Sequence, residues 1–334
     1  MTNTSEFAPA LLDPAKFRNP RVTAKGEPRA SVALTALKTL WFNTGTLCNL
    51  TCAHCYIESS PTNDRLAYLT AAEVESYLDQ LEDLAAGPLA SETLASETLA
   101  SETLEIGFTG GEPFMNPEII AMLDLALGQG HGVLVLTNAS KPMLKLKPQL
   151  LDLKQRYGDR LVLRVSLDHY TALLHEMERG EHTWTKALPG VRWLSQQGFR
   201  LHVAGRTCWA ESESDLRQGF ARLFGRENID LDDDPAALVL FPEMDESVDV
   251  PEITTACWGI LDVDPGAMMC ASSRMVVKHR GAGWPTVVAC TLLPYDDAFE
   301  FGPELGEALQ PVRLNHPHCA KFCVLGGGSC EGGD

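Results

Sequence analysis

Three cysteines in one short run are the residues of this chain best suited to chemistry. Cys48, Cys52 and Cys55 fall within eight residues, in the run Cys48-Asn-Leu-Thr-Cys52-Ala-His-Cys55-Tyr56. A [4Fe–4S] cluster normally takes four cysteine ligands, so three ligands on one loop leave one iron open to an exogenous ligand. A structural zinc ion would need a fourth nitrogen or sulfur ligand, for which only His54 is at hand. Free buried cysteines are the other alternative. The spacing favours the cluster.

The run resembles the C-x3-C-x-aromatic-C loop of the radical S-adenosylmethionine (radical SAM) superfamily, with His54 in the aromatic position. The resemblance implies that Cys48, Cys52 and Cys55 hold a [4Fe–4S] cluster whose open iron chelates the amino and carboxylate groups of S-adenosylmethionine. It also implies that an electron from the reduced cluster cleaves the sulfonium, and that a 5′-deoxyadenosyl radical then takes a hydrogen from the substrate. Tyr56, which ends the run, is assigned to cofactor binding.

Strands and helices alternate along the chain and predict the scaffold that positions this loop. Apolar runs that suit buried strands occupy residues 39–43, 104–108, 132–136, 161–165, 201–204 and 237–241. Helical spacing follows the cap residue Thr70 and recurs over residues 117–127 and 214–224. This alternation predicts an α/β fold of parallel βα units, and six units match the partial (β/α)6 TIM-like barrel of the resembled superfamily. Ligands are expected in the loops after the strands, and the cysteine loop is one of these.

The second predicted strand ends in Gly110-Gly111-Glu112-Pro113, which resembles the GGEP motif of the superfamily. Glycines let the backbone approach a ligand closely, and a backbone carbonyl or the Glu112 carboxylate can accept hydrogen bonds from the methionyl ammonium. A tight turn is the alternative for such a sequence. Its position, one strand and one helix after the cysteine loop, favours cofactor binding by Gly110, Gly111 and Glu112.

Polar residues at three later strand ends complete the predicted cofactor site. Asn138 follows the third strand, Ser166 and Asp168 follow the fourth, and Arg206 follows the fifth. Their amide, hydroxyl, carboxylate and guanidinium groups can contact the ribose, carboxylate or adenine of the cofactor. Ser166 is assigned to the ribose, and Asp168 is the candidate catalytic residue because it can face the substrate instead. Helix caps, turns and surface ion pairs are the alternatives at each position.

A second group of cysteines lies after the barrel, between residues 257 and 330. The stretch from Cys270 to Cys290 predicts a β-hairpin with a cysteine on each arm, and C-x3-C-x6-C spacing follows it. This segment resembles the SPASM or twitch extensions of radical SAM enzymes, which hold auxiliary [4Fe–4S] clusters. It departs from a full SPASM domain in spacing and ligand number, so we expect one auxiliary cluster. A structural zinc site is the alternative. The expected ligands are Cys270, Cys290, Cys319 and Cys323, with Cys330 as substitute and Cys257 less favoured.

The chain of 334 residues is long enough for a large domain and a smaller one. We expect a leader or extended segment over residues 1–30, the barrel over residues 31–241 and the Cys-rich α+β extension over residues 242–334. The sequence Ala90-Ser-Glu-Thr-Leu94 occurs three times without change up to residue 104. A period of five fits neither a helix nor a strand, which predicts a solvated linker. Cys208, beside a tryptophan, is interpreted as a small buried hydrophobe.

Composition narrows the class of protein. Ten cysteines in a chain of this length, without the basic and apolar regions of a signal peptide, predict reduced thiols in the cytoplasm. No apolar stretch reaches the ~20 residues that span a bilayer, so we expect a soluble protein with no membrane partner. The formal charge of −18 argues against a nucleic-acid partner.

The sequence as a whole predicts a radical SAM enzyme that performs an oxidative modification. In families with this extension the substrates are commonly peptides and less often small molecules, and a flavodoxin or ferredoxin is the expected electron donor. Only about 30 residues precede the first strand, which tilts the expectation away from a leader-dependent peptide maturase. A non-catalytic iron–sulfur or zinc redox or scaffold protein is the alternative. A nucleotide cyclase of the molybdenum-cofactor type is not favoured, because Arg164, Arg206 and Lys278 are too few and too scattered to hold a triphosphate.

Overall fold

The strands form one mixed sheet and one separate pair. The computed structural model describes residues 10–86, 104–232, 234–242 and 245–327. The predicted linker and Cys330 therefore lie outside the described residues. The strands of the sheet are β2 (Thr39–Asn43), β3 (Glu105–Thr109), β4 (Gly132–Thr137), β5 (Leu161–Ser166), β6 (Arg200–Arg206), β7 (Leu238–Phe241), β8 (Ser273–Val277), β9 (Thr286–Val288) and β10 (Glu300–Gly302). Strands β1 (Ser31–Val32) and β11 (Val312–Arg313) pair with each other.

Helices separate most of the parallel strands. They are α1 (Ala71–Ala86), α2 (Ile119–Gly128), α3 (Lys141–Leu144), α4 (Lys147–Tyr157), α5 (Ala172–Arg179), α6 (Thr183–Gln196), α7 (Glu213–Glu227) and α8 (Cys257–Leu261). Helix α1 begins with the cap that the sequence predicts. The Thr70 hydroxyl accepts a hydrogen bond from the backbone N–H of Glu73 at 3.2 Å, and the Glu73 carboxylate accepts one from the backbone N–H of Thr70 at 2.9 Å. These reciprocal bonds form a capping box.

Strands β2 to β7 lie side by side in chain order, and each pair is parallel. The helices between them supply the crossovers that parallel strands require. The predicted α/β fold and its partial barrel of six βα units are therefore confirmed. Each predicted strand is present, with its ends moved by at most two residues. The loops that follow β2 to β7 gather at one end of the barrel.

The C-terminal segment extends the same sheet. Strand β8 pairs in parallel with β2, β9 pairs antiparallel with β8, and β10 pairs antiparallel with β9. The predicted hairpin thus forms from β8 and β9, and it adds to the barrel beside the first barrel strand. Cys270 lies just before β8 and Cys290 just after β9. Cys270 therefore leads into the strand that pairs with β2, and Cys290 follows the next strand of the same sheet.

Two apolar cores lie on opposite faces of the sheet. Successive side chains of a strand point to opposite faces, and β2 shows this directly: Phe42 packs in the core beneath the helices, whereas Trp41 packs in the barrel interior. The interior core continues into the C-terminal segment, where it includes Met275, Cys270 and Phe322. The barrel and the cysteine-rich segment are packed against each other through this shared core.

Residues 10–30 have little regular structure but are tied to the C-terminal half. The fully buried guanidinium of Arg29 forms an ion pair with Glu252. The Glu252 carboxylate also accepts hydrogen bonds from the backbone N–H groups of Phe17 and Ala24 at 2.7 and 2.6 Å. One buried carboxylate therefore holds several turns of this segment in place.

Candidate metal and cofactor site

The cysteine loop follows β2 at the end of the barrel where the strand-following loops meet. Cys48 is buried, and Cys52 and Cys55 are half-buried. All three line one cavity of about 170 Å3. The loop is held at its base by a hydrogen bond from the Cys48 backbone N–H to the Ser60 carbonyl at 3.0 Å. Barrel enzymes bind their ligands at this end, and the cavity is where the sequence places them.

Burial and mutual repulsion disfavour the charged form of the Cys48 and Cys52 thiols in the metal-free protein. Burial raises the pKa of Cys48 to about 12, partly offset by a hydrogen bond from the Leu50 backbone, and the charges of Glu112, Cys52 and Cys55 raise it further. Burial also raises the pKa of Cys52, Arg179 lowers it, and Cys55 raises it. Three thiolates so close together are unfavourable without a cation, and a bound metal centre would supply the missing positive charge.

The sulfur atoms of the described cysteines are spaced more widely than the ligands of a single zinc ion. Four ligands around zinc at about 2.3 Å place sulfur atoms within roughly 4 Å of one another. Among the described residues, no three cysteines have sulfur atoms that all lie within 4.8 Å of one another. This holds for the cysteine loop and for the C-terminal cysteines. The described cysteines therefore do not form the tetrahedron of a single zinc ion without moving.

The predicted Gly-Gly-Glu turn lies directly beneath the cysteine loop. The backbone N–H of Gly111 donates to the Gly45 carbonyl at 2.9 Å, and that of Glu112 donates to the Leu47 carbonyl at 3.1 Å. Gly110 has a φ of +133°, and a β-carbon at Gly111 would lie 2.2 Å from the Leu47 carbonyl oxygen. Glycine is therefore required at both positions. Gly110 and Gly111 line the cavity.

The Glu112 side chain is buried under that turn and does not line the cavity. Its carboxylate accepts hydrogen bonds from the Thr137 hydroxyl and the Asn138 backbone N–H, both at 2.8 Å, and from the Phe114 backbone N–H at 3.2 Å. Burial raises the pKa of Glu112 to about 7, although these hydrogen bonds lower it. In this structure the carboxylate ties the end of β3 to the end of β4.

The other predicted cofactor-binding residues line the same cavity as the three cysteines. They are Tyr56, Asn138, Ser166 and Arg206, together with the predicted catalytic residue Asp168. The Asn138 side-chain amide donates to the Cys48 sulfur at 3.9 Å and to the Asn49 side chain at 3.0 Å. Asn138 is thus placed where its amide can hydrogen-bond a metal-bound sulfur.

Glu178 and Arg179, at the end of α5, also line the cavity. Neither residue is marked by a motif in the sequence. Arg179 binds both carboxylate oxygens of Asp168, at 2.6 and 3.0 Å. Glu178 binds the Arg206 guanidinium at 2.5 Å and the His54 imidazole at 2.8 Å. Asp168 and Arg206 therefore hold ion-pair partners in this structure.

Arg179 also acts on the cysteines through space. Burial lowers the pKa of Arg179, but Asp168 and the Cys52 and Cys55 thiolates raise it more, so the guanidinium stays charged. A fixed positive charge therefore stands beside two of the three sulfur atoms. No local spacing pattern marks this residue, because Glu178-Arg179 looks like the solvated end of a helix in the sequence.

The C-terminal cysteines gather around a second, much smaller cavity of about 20 Å3. Cys270, Cys290, Cys319 and Cys323 all line it, within a largely apolar wall. Cys319 and Cys323 lie one turn apart on the π-helix Cys319–Val324. Burial raises the pKa of Cys270 to about 11 and that of Cys319 well above its ordinary value. Four thiols enclosed in this way also fit a metal centre.

Among the described residues, two further cysteines, Cys208 and Cys257, line neither cavity. Cys257 is absent from the lining of the second cavity, and its sulfur is instead 3.4 Å from the Thr254 hydroxyl. Cys208 is half-buried and lines neither cavity. Leu292 lines both cavities, so a single leucine separates the two cysteine groups at that point.

Comparisons with known proteins agree with this geometry. The model of the radical SAM superfamily matches residues 92–216. The chain is 29% identical over 158 residues to the antilisterial bacteriocin subtilosin biosynthesis protein AlbA of Bacillus subtilis. This match covers 47% of this chain and 30% of AlbA. The chain is also 24% identical over 152 residues to the mycofactocin maturase MftC of Mycobacterium ulcerans. This match covers 46% of this chain and 35% of MftC. The matches thus span about a third of the length of these relatives.

A solved structure shares the fold. SuiB of Streptococcus suis, bound to precursor peptide SuiA, superposes with a TM-score of 0.54 at 11% identity, over 83% of this chain and 64% of that chain. The resemblance to the radical SAM superfamily that the cysteine loop indicated is confirmed, and with it the expected cofactors of that superfamily, a [4Fe–4S] cluster and S-adenosylmethionine. Among the described residues, no helix is both long and apolar enough to cross a membrane.

Proposed function

We propose that this chain, which carries a radical SAM domain, is an enzyme that cleaves S-adenosylmethionine reductively and removes a hydrogen atom from a peptide. The observation that carries the proposal is that Cys48, Cys52 and Cys55 line one cavity together with Gly110 and Gly111. A bound [4Fe–4S] cluster would supply one electron to the sulfonium, which yields methionine and a 5′-deoxyadenosyl radical. The residues of the chain bind, orient and shield these groups.

Each of these residues has a role that follows from its contacts. Cys48, Cys52 and Cys55 would hold three irons. The backbone at Gly110 and Gly111 would accept the methionyl ammonium, because no side chain keeps the ligand away from it. The Glu112 carboxylate would hold that backbone in place through its hydrogen bonds to the end of β4.

The opposite wall of the cavity would orient the rest of the cofactor. Ser166, which bears the only hydroxyl of the predicted strand-end residues, would bind the ribose. Arg179, held by both oxygens of Asp168, would keep its positive charge directed toward the cysteines. We therefore assign Asp168 to positioning Arg179, since both of its oxygens already accept hydrogen bonds. Arg206, held by its ion pair with Glu178, would complete the lining of this side of the cavity.

The C-terminal cysteines would hold one auxiliary cluster. Cys270, Cys290, Cys319 and Cys323 surround the second cavity, and Leu292 separates it from the first. An auxiliary cluster there would take the electron left on the substrate radical, or bind the substrate through an open iron. We propose residues 31–241 as the catalytic barrel and residues 242–334 as the auxiliary unit. Metal-bound thiolates of this kind call for a reducing compartment such as the cytoplasm.

The proposed substrate class rests on the relatives. AlbA takes part in the biosynthesis of a bacteriocin, MftC is a maturase, and SuiB was crystallised with a precursor peptide. The cavity is lined by both apolar and charged residues, Phe241 and Arg164 among them, and such a lining suits a peptide. The electron would come from a protein carrier such as a flavodoxin or ferredoxin.

The test is anaerobic reconstitution with iron and sulfide, followed by dithionite reduction in the presence of S-adenosylmethionine. The parent protein is expected to form 5′-deoxyadenosine, and Cys48→Ala is expected to form none. Cys208→Ala is the matched control, because its thiol lines neither cavity, and it should keep the parent rate. If the parent protein forms no more 5′-deoxyadenosine than Cys48→Ala, the enzyme proposal fails and a non-catalytic metalloprotein is favoured.

A further inference from the structure

A group of lysines stands out on this acidic protein. The chain carries a formal charge of −18, yet Lys141, Lys145 and Lys186 line one open surface groove of about 340 Å3. The groove lies between α3 and α6, and its other lining residues are Leu144, Thr185 and Pro189. All three lysines are exposed. We call this surface the lysine groove.

The fold brings these lysines together through one close contact. A β-carbon at Gly190, in the middle of α6, would lie 1.9 Å from the Ala139 carbonyl oxygen. Glycine therefore lets α6 press directly against the turn that leads into α3. Lys186 lies one helical turn before Gly190, and Lys141 lies two residues after Ala139. The charges of two helices that are distant in sequence thus face the same groove.

In the part of the chain that the structure describes, no carboxylate is paired with a lysine of the groove. Within the described ranges, the structure records no ion pair for Lys141, Lys145 or Lys186, whereas Arg156 pairs with Asp124. Like charges gathered without partners repel one another, so this arrangement contributes nothing to folding stability. It does create a local positive potential on a negative surface. Such a patch attracts an acidic partner and orients it during encounter.

The lysine groove adjoins the loop that carries the first cysteine. Ser140 is the cap residue of α3, and its hydroxyl accepts a hydrogen bond from the Asn49 side chain at 3.0 Å. Asn49 is exposed and is the direct neighbour of Cys48. The Asn138 amide reaches the Cys48 sulfur from the other side of the same turn. A partner seated on the groove would therefore stand next to the Cys48 side of the proposed cluster, from outside the cavity.

We infer that a small acidic electron-carrier protein docks on the lysine groove, an inference that rests on the proposed function. One electron leaves the reduced carrier, which is oxidised by one electron, and enters the cluster held by Cys48, Cys52 and Cys55. None of the three lysines lines the cavity, so the groove serves the carrier and leaves the cavity to cofactor and substrate. Charge attraction would bring the carrier to a surface that adjoins the cysteine loop through the Asn49–Ser140 hydrogen bond.

The experiment compares two reductants on the reconstituted full chain. Reduced bacterial flavodoxin serves as the carrier probe, and dithionite serves as a small reductant that needs no docking surface. The variant K141E/K145E reverses two charges of the groove. The matched control K25E/K38E reverses two exposed lysines elsewhere, and Lys38 lies at the opposite end of β2 from the cysteine loop. Both variants have the same net charge.

With flavodoxin, K141E/K145E is expected to form 5′-deoxyadenosine about tenfold more slowly than K25E/K38E, and its Kd for flavodoxin should rise by a similar factor. K186E, which changes the lysine on α6, should also lower the flavodoxin-driven rate. The flavodoxin-driven rate of the parent should fall as salt is added, and that of K141E/K145E should depend much less on salt. With dithionite, all proteins should react at rates within about twofold of one another.

Equal flavodoxin rates and equal Kd values for K141E/K145E and K25E/K38E would overturn the inference while leaving the proposed function intact. A loss of the dithionite-driven rate in K141E/K145E alone would also overturn it, because the groove would then serve substrate or cofactor. Absence of 5′-deoxyadenosine with dithionite in the parent would instead defeat the proposed function. The flavodoxin Kd would still decide the docking surface in that case.

Discussion

Replacing Gly111 by alanine tests whether the Gly-Gly-Glu turn supports the cysteine loop. The added β-carbon would lie 2.2 Å from the Leu47 carbonyl oxygen and 2.6 Å from the Leu47 carbonyl carbon. Ordinary contact requires the two backbones to separate by about 1 Å. Both contacts are with main chain, so no side-chain rotation can relieve them. Leu47 directly precedes Cys48, and the movement would displace the first cysteine of the loop.

The expected change in the free energy of unfolding of Gly111→Ala follows from two opposing effects. Overpacking costs about 1–3 kcal/mol, and a clash between two backbones belongs at the upper end. Loss of glycine flexibility in the unfolded chain offsets about 0.5–1 kcal/mol, because the φ of Gly111 lies outside the left-handed region. We expect Gly111→Ala to lower the free energy of unfolding by about 2 kcal/mol. The hydrogen bond from the Glu112 N–H to the Leu47 carbonyl should weaken as well.

The assay combines urea unfolding of the metal-free protein with iron counting after reconstitution. Gly128→Ala in α2 is the matched control, since its β-carbon would meet only the Tyr157 hydroxyl at an ordinary 3.6 Å. It should raise the free energy of unfolding by about 0.5–1 kcal/mol. Gly111→Ala should also bind less iron than the parent. If Gly111→Ala unfolds at the urea concentration of the parent and binds the same iron, the turn does not support the loop and our reasoning is refuted.

Three further predictions concern charge and metal content. Burial raises the pKa of Glu112 to about 7 from an ordinary 4.5, so between these pH values the folded metal-free protein holds a proton that the unfolded chain has lost. Its free energy of unfolding should therefore fall by about 3 kcal/mol as the pH rises from 4.5 to 7. Glu112→Gln should make the free energy of unfolding, measured by urea titration, depend less on pH, and an unchanged pH dependence would contradict this prediction. Glu252→Gln leaves the buried charge of Arg29 without its carboxylate and should cost about 3 kcal/mol by the same measurement; a cost below about 1 kcal/mol would mean that the pair is solvated. Cys270→Ala combined with Cys290→Ala should lower the iron content from about eight to about four atoms per chain, and an undiminished count would place the auxiliary ligands elsewhere.

The parts of the fold that could be predicted from sequence depend on local patterns. Apolar runs fix β2 to β7, the Thr70 cap fixes the start of α1, and the spacing of Cys48, Cys52 and Cys55 fixes the loop that follows β2. Each of these signals spans a few residues and needs no knowledge of tertiary contacts. Because parallel strands bring their ends together, the strand-end residues could be expected to share a cavity before any contact was known.

The parts that could not be predicted depend on contacts between distant residues. Glu178 lies 124 residues after His54, and the bond between them has no counterpart in local spacing. The direction of the Glu112 carboxylate depends on donors from the next strand, and only the folded protein shows that it turns away from the cavity. The parallel pairing of β8 with β2 likewise joins segments more than 200 residues apart. A sequence pattern predicts the hairpin but not the strand beside which it packs.

The central claim is that three cysteines leave one iron open for S-adenosylmethionine. The most direct test uses the double variant of Cys270→Ala and Cys290→Ala, in which the cluster of the cysteine loop should give the only signal. The reduced cluster is examined by electron paramagnetic resonance before and after S-adenosylmethionine is added. Our account predicts a shift of the g values on addition, because the amino and carboxylate groups bind the open iron. A spectrum that S-adenosylmethionine leaves unchanged would contradict it.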